Sequence, residues 1–455
     1  MSSTPERDTS ATPVPAHFTD ERPSKTRYVV LGFLCTLAFV FYVDRICISK
    51  AVPMIEADLE ITHTQMSYVL AAFTLAYSLF EVPTGWWGDK YGSRGVMTRI
   101  VIWWSVFTAL TGRVGGLTSL IAVRFLFGSG EAGAFPNTAR ILARWFPEER
   151  RGMAQGLVNS MAQVGGAAAP VLTGYCMDWV GWRWTFFIFS LPGVIWAAVF
   201  WWWFRDDPAE HSAVNAAELS LIREGRAPVA ASAHPPIPWA AVLSSFNVYI
   251  LGGVLSCTAF NTYMYFSWYS TYLEQGREVS SMASRWLTSL VLTGGAIGCI
   301  CGGFVIDALL RKFKNRRWCR RWWGCFALTT AAIFLLLSIH SDSANISATW
   351  TACSVMMAVA TLASWWGAVT DISGRHLGAM FGLMNSIGGC GALISQLFVG
   401  RFADWQKSRG LSGRLQWDPI FYVYAGVLFA GALGWLLIDS TRPIQGASGE
   451  SPEEH

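Results

Sequence analysis

The chain reads as an all-α membrane protein with twelve transmembrane helices in two six-helix halves. Three observations predict this: an apolar composition, a rhythm of apolar runs of span length, and an internal duplication. Of 455 residues, 53% are hydrophobic and 14% charged, with 24 Trp and a mean hydropathy of +0.35. A soluble domain carries about a quarter charged residues. Runs of about 20 apolar residues match, as helices, a hydrocarbon core of about 30 Å. They start near residues 28, 64, 97, 117, 152, 183, 246, 284, 322, 346, 377 and 418.

Residues 1–27 are polar and rich in Pro, Ser and Thr, without the apolar core of a cleaved signal, and are expected to form a disordered cytoplasmic tail. The first six runs make an N-terminal half over 28–204. Residues 205–245 are Ala-, Pro- and charge-rich and read as a cytoplasmic linker, with one short helical patch around Ala216 to Arg223. The remaining runs make a C-terminal half over 246–440, and 441–455 form a second cytoplasmic tail.

An ungapped shift of 226 residues aligns Gly152, Gly156, Leu157, Asn159, Ser160, Gly165, Gly174, Asp178 and Trp179 with Gly378, Gly382, Leu383, Asn385, Ser386, Gly391, Gly400, Asp404 and Trp405. The fifth and eleventh spans are therefore duplicates six spans apart, as two homologous halves require.

Lys and Arg in short loops orient the spans. With the N-terminus inside, the inner loops hold Lys90, Arg94 and Arg99, then Arg140, Arg144, Arg150 and Arg151, then Arg311 through Arg321. The first outer loop holds only acids, Glu56, Asp58 and Glu60. One loop disagrees: Arg401, Lys407, Arg409 and Arg414 fall outside. The expected location is a cell membrane, the inner one in a bacterium, with several passes, both termini cytoplasmic and the lipid bilayer as partner.

Composition and motifs also exclude. The charge of +4 comes from inner loops and suggests no nucleic acid. Ten Cys are scattered singly, and Cys299-x-Cys301 lacks the second pair of a zinc site, so no metal and no cofactor are expected. His17-Phe-Thr-Asp20 lies in the tail, and no span sets out a nucleophile, base and orienting group, so the chain is not expected to be an enzyme.

Two ionisable pairs interrupt otherwise apolar spans: Asp44 and Arg45 in the first, Arg124 and Glu131 in the fourth. Each charge at membrane depth costs roughly 2.5–3.5 kcal/mol on insertion scales, so each calls for a partner or a task. Arg124 and Glu131 are seven residues apart and share a helix face, about two turns from one another. Asp44 and Arg45 point about 100° apart, which lets Arg45 line a cavity while Asp44 faces a neighbouring helix or a proton route. Arg suits an anion because its planar fork matches a carboxylate, whereas acids whose charge is disfavoured by burial can carry protons. The packing alternative, two internal salt bridges, leaves unexplained why the matching positions Trp350 and Met357 carry no charge.

Each half also has a glycine-rich helix end. Gly85-Trp-Trp-Gly88-Asp89-Lys90-Tyr-Gly92-Ser-Arg94 closes the second span, and Gly302-Gly303-Phe-Val-Ile-Asp307 with Arg311 and Lys312 closes the eighth. Asp89, Arg94 and Asp307 are the gating candidates, able to bridge helices in one conformation and release them in another. The alternative is a charged helix end that merely follows the positive-inside bias.

These elements resemble the major facilitator superfamily. Within it, Tyr42-Val-Asp44-Arg45, Arg124-Phe-Leu-Phe-Gly128-Ser-Gly-Glu131-Ala-Gly-Ala-Phe135-Pro136 and Trp145-Phe146-Pro147-Glu148-Glu149-Arg150 resemble the anion:cation symporter family. Its bacterial members include proton-coupled carriers of galactonate, hexuronates and glucarate. Two positions depart: Gly95 replaces the last basic residue of the loop signature, and Ser270 stands where the family usually has Pro, which bears on how the seventh helix bends.

The resemblance implies substrate contacts at Tyr42, Tyr77, Gln163, Ser364, Trp365 and Asn385 beside Arg45 and Arg124, and proton coupling at Asp44 and Glu131. The expectation is a proton-coupled symporter of a small organic anion, a sugar acid or related carboxylate, working by alternating access as a monomer. The alternatives are a sodium-coupled or exchange-type anion or phosphate carrier, and a transporter-like sensor. Sensors of that kind usually add a long cytoplasmic domain, for which the linker and tails are too short.

Overall fold

The computed structural model describes residues 22–224, 239–373 and 377–439. Helices account for the regular structure of the described residues, without a strand. In lipid this is the expected solution, because each backbone N–H and C=O must be satisfied within its own segment.

The helices are α1 (Thr26–Leu59), α2 (His63–Tyr91), α3 (Ser93–Thr111), α4 (Leu117–Glu131), α5 (Ala134–Trp145) and α6 (Glu148–Trp203) in the first half. The linker holds α7 (Ala216–Arg223) and α8 (Trp239–Ser244). The second half has α9 (Phe246–Ser267), α10 (Tyr269–Thr271), α11 (Ser281–Phe313), α12 (Arg316–His340), α13 (Ala344–Val359), α14 (Leu362–Ser373), α15 (Leu377–Ser408) and α16 (Arg414–Leu437).

By length and apolar composition, seven helical stretches among the described residues can cross a bilayer: α1, α6, α11, α12, α13 with α14, α15 and α16. The 56 residues of α6 are more than twice one crossing, and the helix turns back at Gly181, whose φ of +76° breaks it into two spans. With α2, α3, the broken span α4–α5 and α9, the count among the described residues is twelve.

Several helix starts are written locally. Thr62 and Gln65 form a reciprocal capping box on α2, and Ser280 and Asn315 cap α11 and α12. The seventh span breaks without proline: α9 ends at Ser267 with Trp268 as its cap, and after α10 a π-turn over Tyr272–Gly276 follows. Ser270 is buried there, its hydroxyl 2.9 Å from that of Ser284. Along α11, Gly294, Gly298 and Gly302 recur one turn apart, and a Cβ at each would lie within 2.4 Å of a carbonyl oxygen in or just after α13. Only glycine permits backbones that close.

The two halves meet along two antiparallel helix pairs, α2 with α15 and α6 with α11. One end of the molecule carries α7 and the 311–321 loop and is called here the linker end; the opposite is the far end. At the far end the apolar core is continuous across both halves, joining Ile48, Val52, Met66 and Met177 to Trp268, Leu273 and Trp417. A second core, from Val30 to Ile222, belongs to the first half and the linker alone. The loop around Arg409 lies at the far end, where Arg414 meets Asp342 and Asp418, each at 3.0 Å. The parity of twelve crossings therefore holds, and acidic partners offset at least part of the loop's positive charge.

The tail expectation needs a correction at its end. Ser24 and the backbone N–H groups of Thr26 and Arg27 donate to Glu218 of α7, which is fully buried, and Asn215 donates to the Arg22 carbonyl. Residues 22–27 are thus tied to the linker, their polar groups satisfied by a distant segment. The rest of that tail, residues 1–21, and the whole 441–455 tail fall outside the described residues.

Candidate anion and proton site

The fourth span is interrupted where the site lies. Gly133 has φ +85°, and a Cβ there would stand 2.6 Å from Thr84 Cβ, so the break needs glycine. Glu131 becomes the last residue of α4, with no exposed surface.

Arg45 Nε donates to Glu131 Oε2 at 3.0 Å, and its Nη2 stands 2.9 Å from the same oxygen. The guanidinium also lies 4.5 Å from the ring centres of Phe41 and Tyr77 and 5.2 Å from that of Phe73. Aromatic faces take the place of water around the cation.

The other two charges are not closed into a pair. Arg124 is 1% exposed and lies against Phe127 and Phe73, 4.3 and 5.4 Å from their ring centres. It makes no hydrogen bond or ion pair among the described residues, and its Nε is buried without a partner. Asp44, equally buried, has neither carboxyl oxygen hydrogen-bonded, though it is within electrostatic reach of Arg124 and Glu131. A buried guanidinium without a counter-ion in contact is costly.

The remaining expected residues divide. Tyr42 is half-buried beside Arg45 and edge-on to Phe135 and to Phe266 of α9, so it bridges the halves. Tyr77 lies under the Arg45 guanidinium. Gln163 is half-buried on α6, one turn before Gly166, which abuts Tyr42. Asn385 donates to Glu81 at 2.9 Å, from α15 to α2. Ser364 is fully buried with an unpartnered hydroxyl. Trp365 is turned to packing: its indole N–H donates to the Leu251 carbonyl at 2.9 Å, and the residue is 3% exposed. It has no free polar group for a ligand.

Of the gating candidates, Arg94 and Asp307 are not paired with each other. Arg94 bonds the Trp201 carbonyl and stacks on that ring within its own half, and Asp307 is exposed. The Asp89 side chain lies outside the described residues. What holds this helix end is Asp206, which accepts from the N–H groups of Ser93 and Arg94 at 2.7 and 3.1 Å and caps α3.

Among the described residues, charged contacts across the halves lie between the middle and the far end. Lys50, 3% exposed, pairs with Glu274, and Arg285 pairs with Asp178 at 2.7 Å. Thr64 N–H donates to Asp404 at 2.7 Å. Asp178 and Asp404 are duplicates of each other, as are Gly174, which abuts Arg285, and Gly400, which abuts the His63 carbonyl. The same Gly-x-x-x-Asp element therefore closes the far end once in each interface.

Sequence reading missed Glu81, Lys50 and Tyr263. Glu81 and Lys50 were findable as ionisable residues inside or beside apolar runs. Tyr263 joins Arg45 and Glu81 only through the fold, from α9.

Helices of crossing length in two duplicated halves, with a charge cluster between them, define a membrane transporter. The sequence pattern of the Major Facilitator Superfamily matches residues 34–396, and the chain belongs to that superfamily. It is 30% identical over 94% of its length to a probable sulfoacetate transporter of Cupriavidus necator, covering 96% of that protein. It is 28% identical over 92% of its length to a D-galactonate transporter of Escherichia coli, again covering 96% of that protein. Among solved structures it resembles a bacterial homologue of the human lysosomal transporter Spinster, inward-facing and unoccupied, with a TM-score of 0.71 at 18% identity over 91% of this chain and 95% of that one. A D-xylose–proton symporter superposes with a TM-score of 0.70 at 12% identity, over 92% and 99% of the two chains. These two likenesses concern the fold alone.

Proposed function

We propose that the chain is a secondary active symporter that moves a small organic anion, a sugar acid or related carboxylate, together with protons by alternating access. The observation that carries this is Arg124: a guanidinium 1% exposed, without a hydrogen bond or ion pair among the described residues, beside a second guanidinium already held by an acid. The names of the galactonate, glucarate and sulfoacetate relatives support an acidic substrate.

The coupling follows from charge. An anion that takes Arg45 as well as Arg124 displaces Glu131 from its partner. A carboxylate left without a counter-ion in low dielectric binds a proton, so substrate and proton load together. Asp44, facing Arg124 without contact, supplies a second place for a proton. Release reverses the exchange: the anion leaves, Glu131 loses its proton and returns to Arg45.

In this reading the linker end is cytoplasmic, as its Lys and Arg suggest, and the closed far end makes the conformation inward-facing. Asp89, Arg94 and Asp307 are proposed to meet in the opposite state. The protein works as a monomer in a cell membrane. Uptake of labelled acid into proteoliposomes tests the reading, driven in turn by an inward proton gradient, by a sodium gradient and by preloaded anion. Accumulation under the proton gradient alone is expected; uptake only against sodium or preloaded anion contradicts it.

A further inference from the structure

Glu81 is an acid in the pathway that the coupling scheme does not use. It lies on α2 one turn beyond Tyr77, hence on the same helix face, toward the linker end. It accepts from Asn385 of α15 at 2.9 Å and stands within electrostatic reach of Arg45. Tyr263 of α9 is within reach of both. One turn earlier, Ser78 abuts Gly389 of α15, and beyond it Thr74 donates to Gln396 at 2.9 Å. The α2–α15 seam is thus held from the far end down to Glu81, and the carboxylate marks the end of these polar contacts, beside the cluster of Arg45 and Arg124.

The chemistry of the Glu81–Asn385 pair is one-sided. An ionised carboxylate only accepts, so the Asn385 amide must turn its NH2 to Glu81 and its Oδ1 away. What this edge of the site offers a ligand is acceptor oxygens and negative charge. At the other edge stand the guanidiniums, which take the acid group. A molecule bridging the two edges is therefore an anion at one end and a hydrogen-bond donor at the other. A second carboxylate at the donor end would face Glu81 in a site of low dielectric, where like charges repel far more than in water.

We propose that Glu81 is a specificity residue: its carboxylate selects monoanions that carry a hydroxyl or other donor at the distal end, and rejects dianions of the same length, while Asn385 contributes to affinity. This rests on the anion reading of Arg45 and Arg124.

Two matched pairs of acids test it, each exchanging a terminal CH2OH group for a carboxylate: D-galactonate against galactarate, and 2-hydroxyethanesulfonate against sulfoacetate. Binding to the purified full-length protein is read as ligand-dependent thermal stabilisation. The unaltered protein is expected to prefer the hydroxylated member of any pair it binds by about tenfold or more, roughly 1.4 kcal/mol. Glu81→Gln, which keeps the shape and the bond to Asn385, is expected to erase most of that ratio. Asn385→Ala keeps the carboxylate and is expected to keep the ratio even as overall affinity falls, which separates charge from packing. A dianion bound by the unaltered protein as tightly as its partner, or a ratio unmoved by Glu81→Gln, overturns the inference and leaves the anion site standing. Failure to bind any of the four acids overturns the anion reading, and this inference with it.

Discussion

In the N-terminal half Gly165 packs on the carbonyl of Phe39, and in the C-terminal half its duplicate Gly391 packs on that of Ser256. The same register sets Asn261 where the first half has Asp44, and Thr262 where it has Arg45. The fourth-span charges Arg124 and Glu131 likewise correspond to Trp350, stacked on Phe334, and Met357, packed against the apolar core. Backbone packing has been kept through the duplication, while at these four positions ionisable side chains stand in the first half only. An anion site that uses charge from one half needs the other half only for neutral contacts, such as Asn385 and Tyr263, and for movement. In the proposed symport cycle, this asymmetry of charge on symmetric helices has one half hold the ligand while the other rocks over it.

Moving a charge across the comparison gives the largest expected effect. Asn261 is 1% exposed with an unpartnered amide nitrogen, and no guanidinium in the second half corresponds to Arg124. Asn261→Asp buries a carboxylate with no counter-ion of that kind and is expected to cost about 3 kcal/mol of stability. Asp44→Asn, the reverse change in the first half, is expected to leave thermal stability equal or higher while abolishing accumulation. Equal melting temperatures for Asn261→Asp and the unaltered protein would show that the halves tolerate charge alike.

Next in size is Arg124→Lys, which keeps the charge but not the fork. A single ammonium replaces bidentate recognition, so anion affinity is expected to fall by about 30-fold, roughly 2 kcal/mol. Isothermal binding to the detergent-solubilised protein measures this, and affinity within a factor of two of the original removes Arg124 from the anion site.

The smallest effect concerns the duplicated far-end acids. Asp178→Asn strips the partner from Arg285, which is 2% exposed, whereas Asp404→Asn leaves a neutral acceptor at the start of α2. Asp178 is half exposed, so the loss stays near about 1 kcal/mol, and it is expected to exceed that of Asp404→Asn. Labelling of single cysteines introduced at the far end reads the opening. Equal labelling of the two variants would mean that the two interfaces are interchangeable.

The fold was legible where packing leaves a repeating mark. Gly165 and Gly391 recur as duplicates in the fifth and eleventh spans because a Cβ at either would strike a neighbouring backbone. Apolar runs counted the crossings because bilayer thickness sets their length. The members of the charge cluster were legible too, since a charge in an apolar run stands out. Their pairing was not: spacing set Arg124 and Glu131 on one face, but the partner Glu131 meets is Arg45, on a helix 86 residues earlier. Helix azimuths and side-chain angles decide that, and neither has a local signature. Glu81 was overlooked because it sits beside the glycine-rich helix end, where an acid reads as a boundary. Residues 22–27 look like tail by composition, and contacts with the distant Ala213, Asn215 and Glu218 order them.

In the proposed coupling the anion and Glu131 compete for Arg45, so that substrate loading loads a proton. Glu131→Gln fixes the protonated form: the amide keeps the shape, and Arg45 is released from its ion pair permanently. In proteoliposomes this variant is expected to bind substrate and to exchange internal for external labelled acid, yet to reach no concentration above equilibrium when an inward proton gradient is imposed. If Glu131→Gln concentrates substrate under that gradient as the unaltered protein does, Glu131 serves only to pack Arg45, and the coupling described here is wrong.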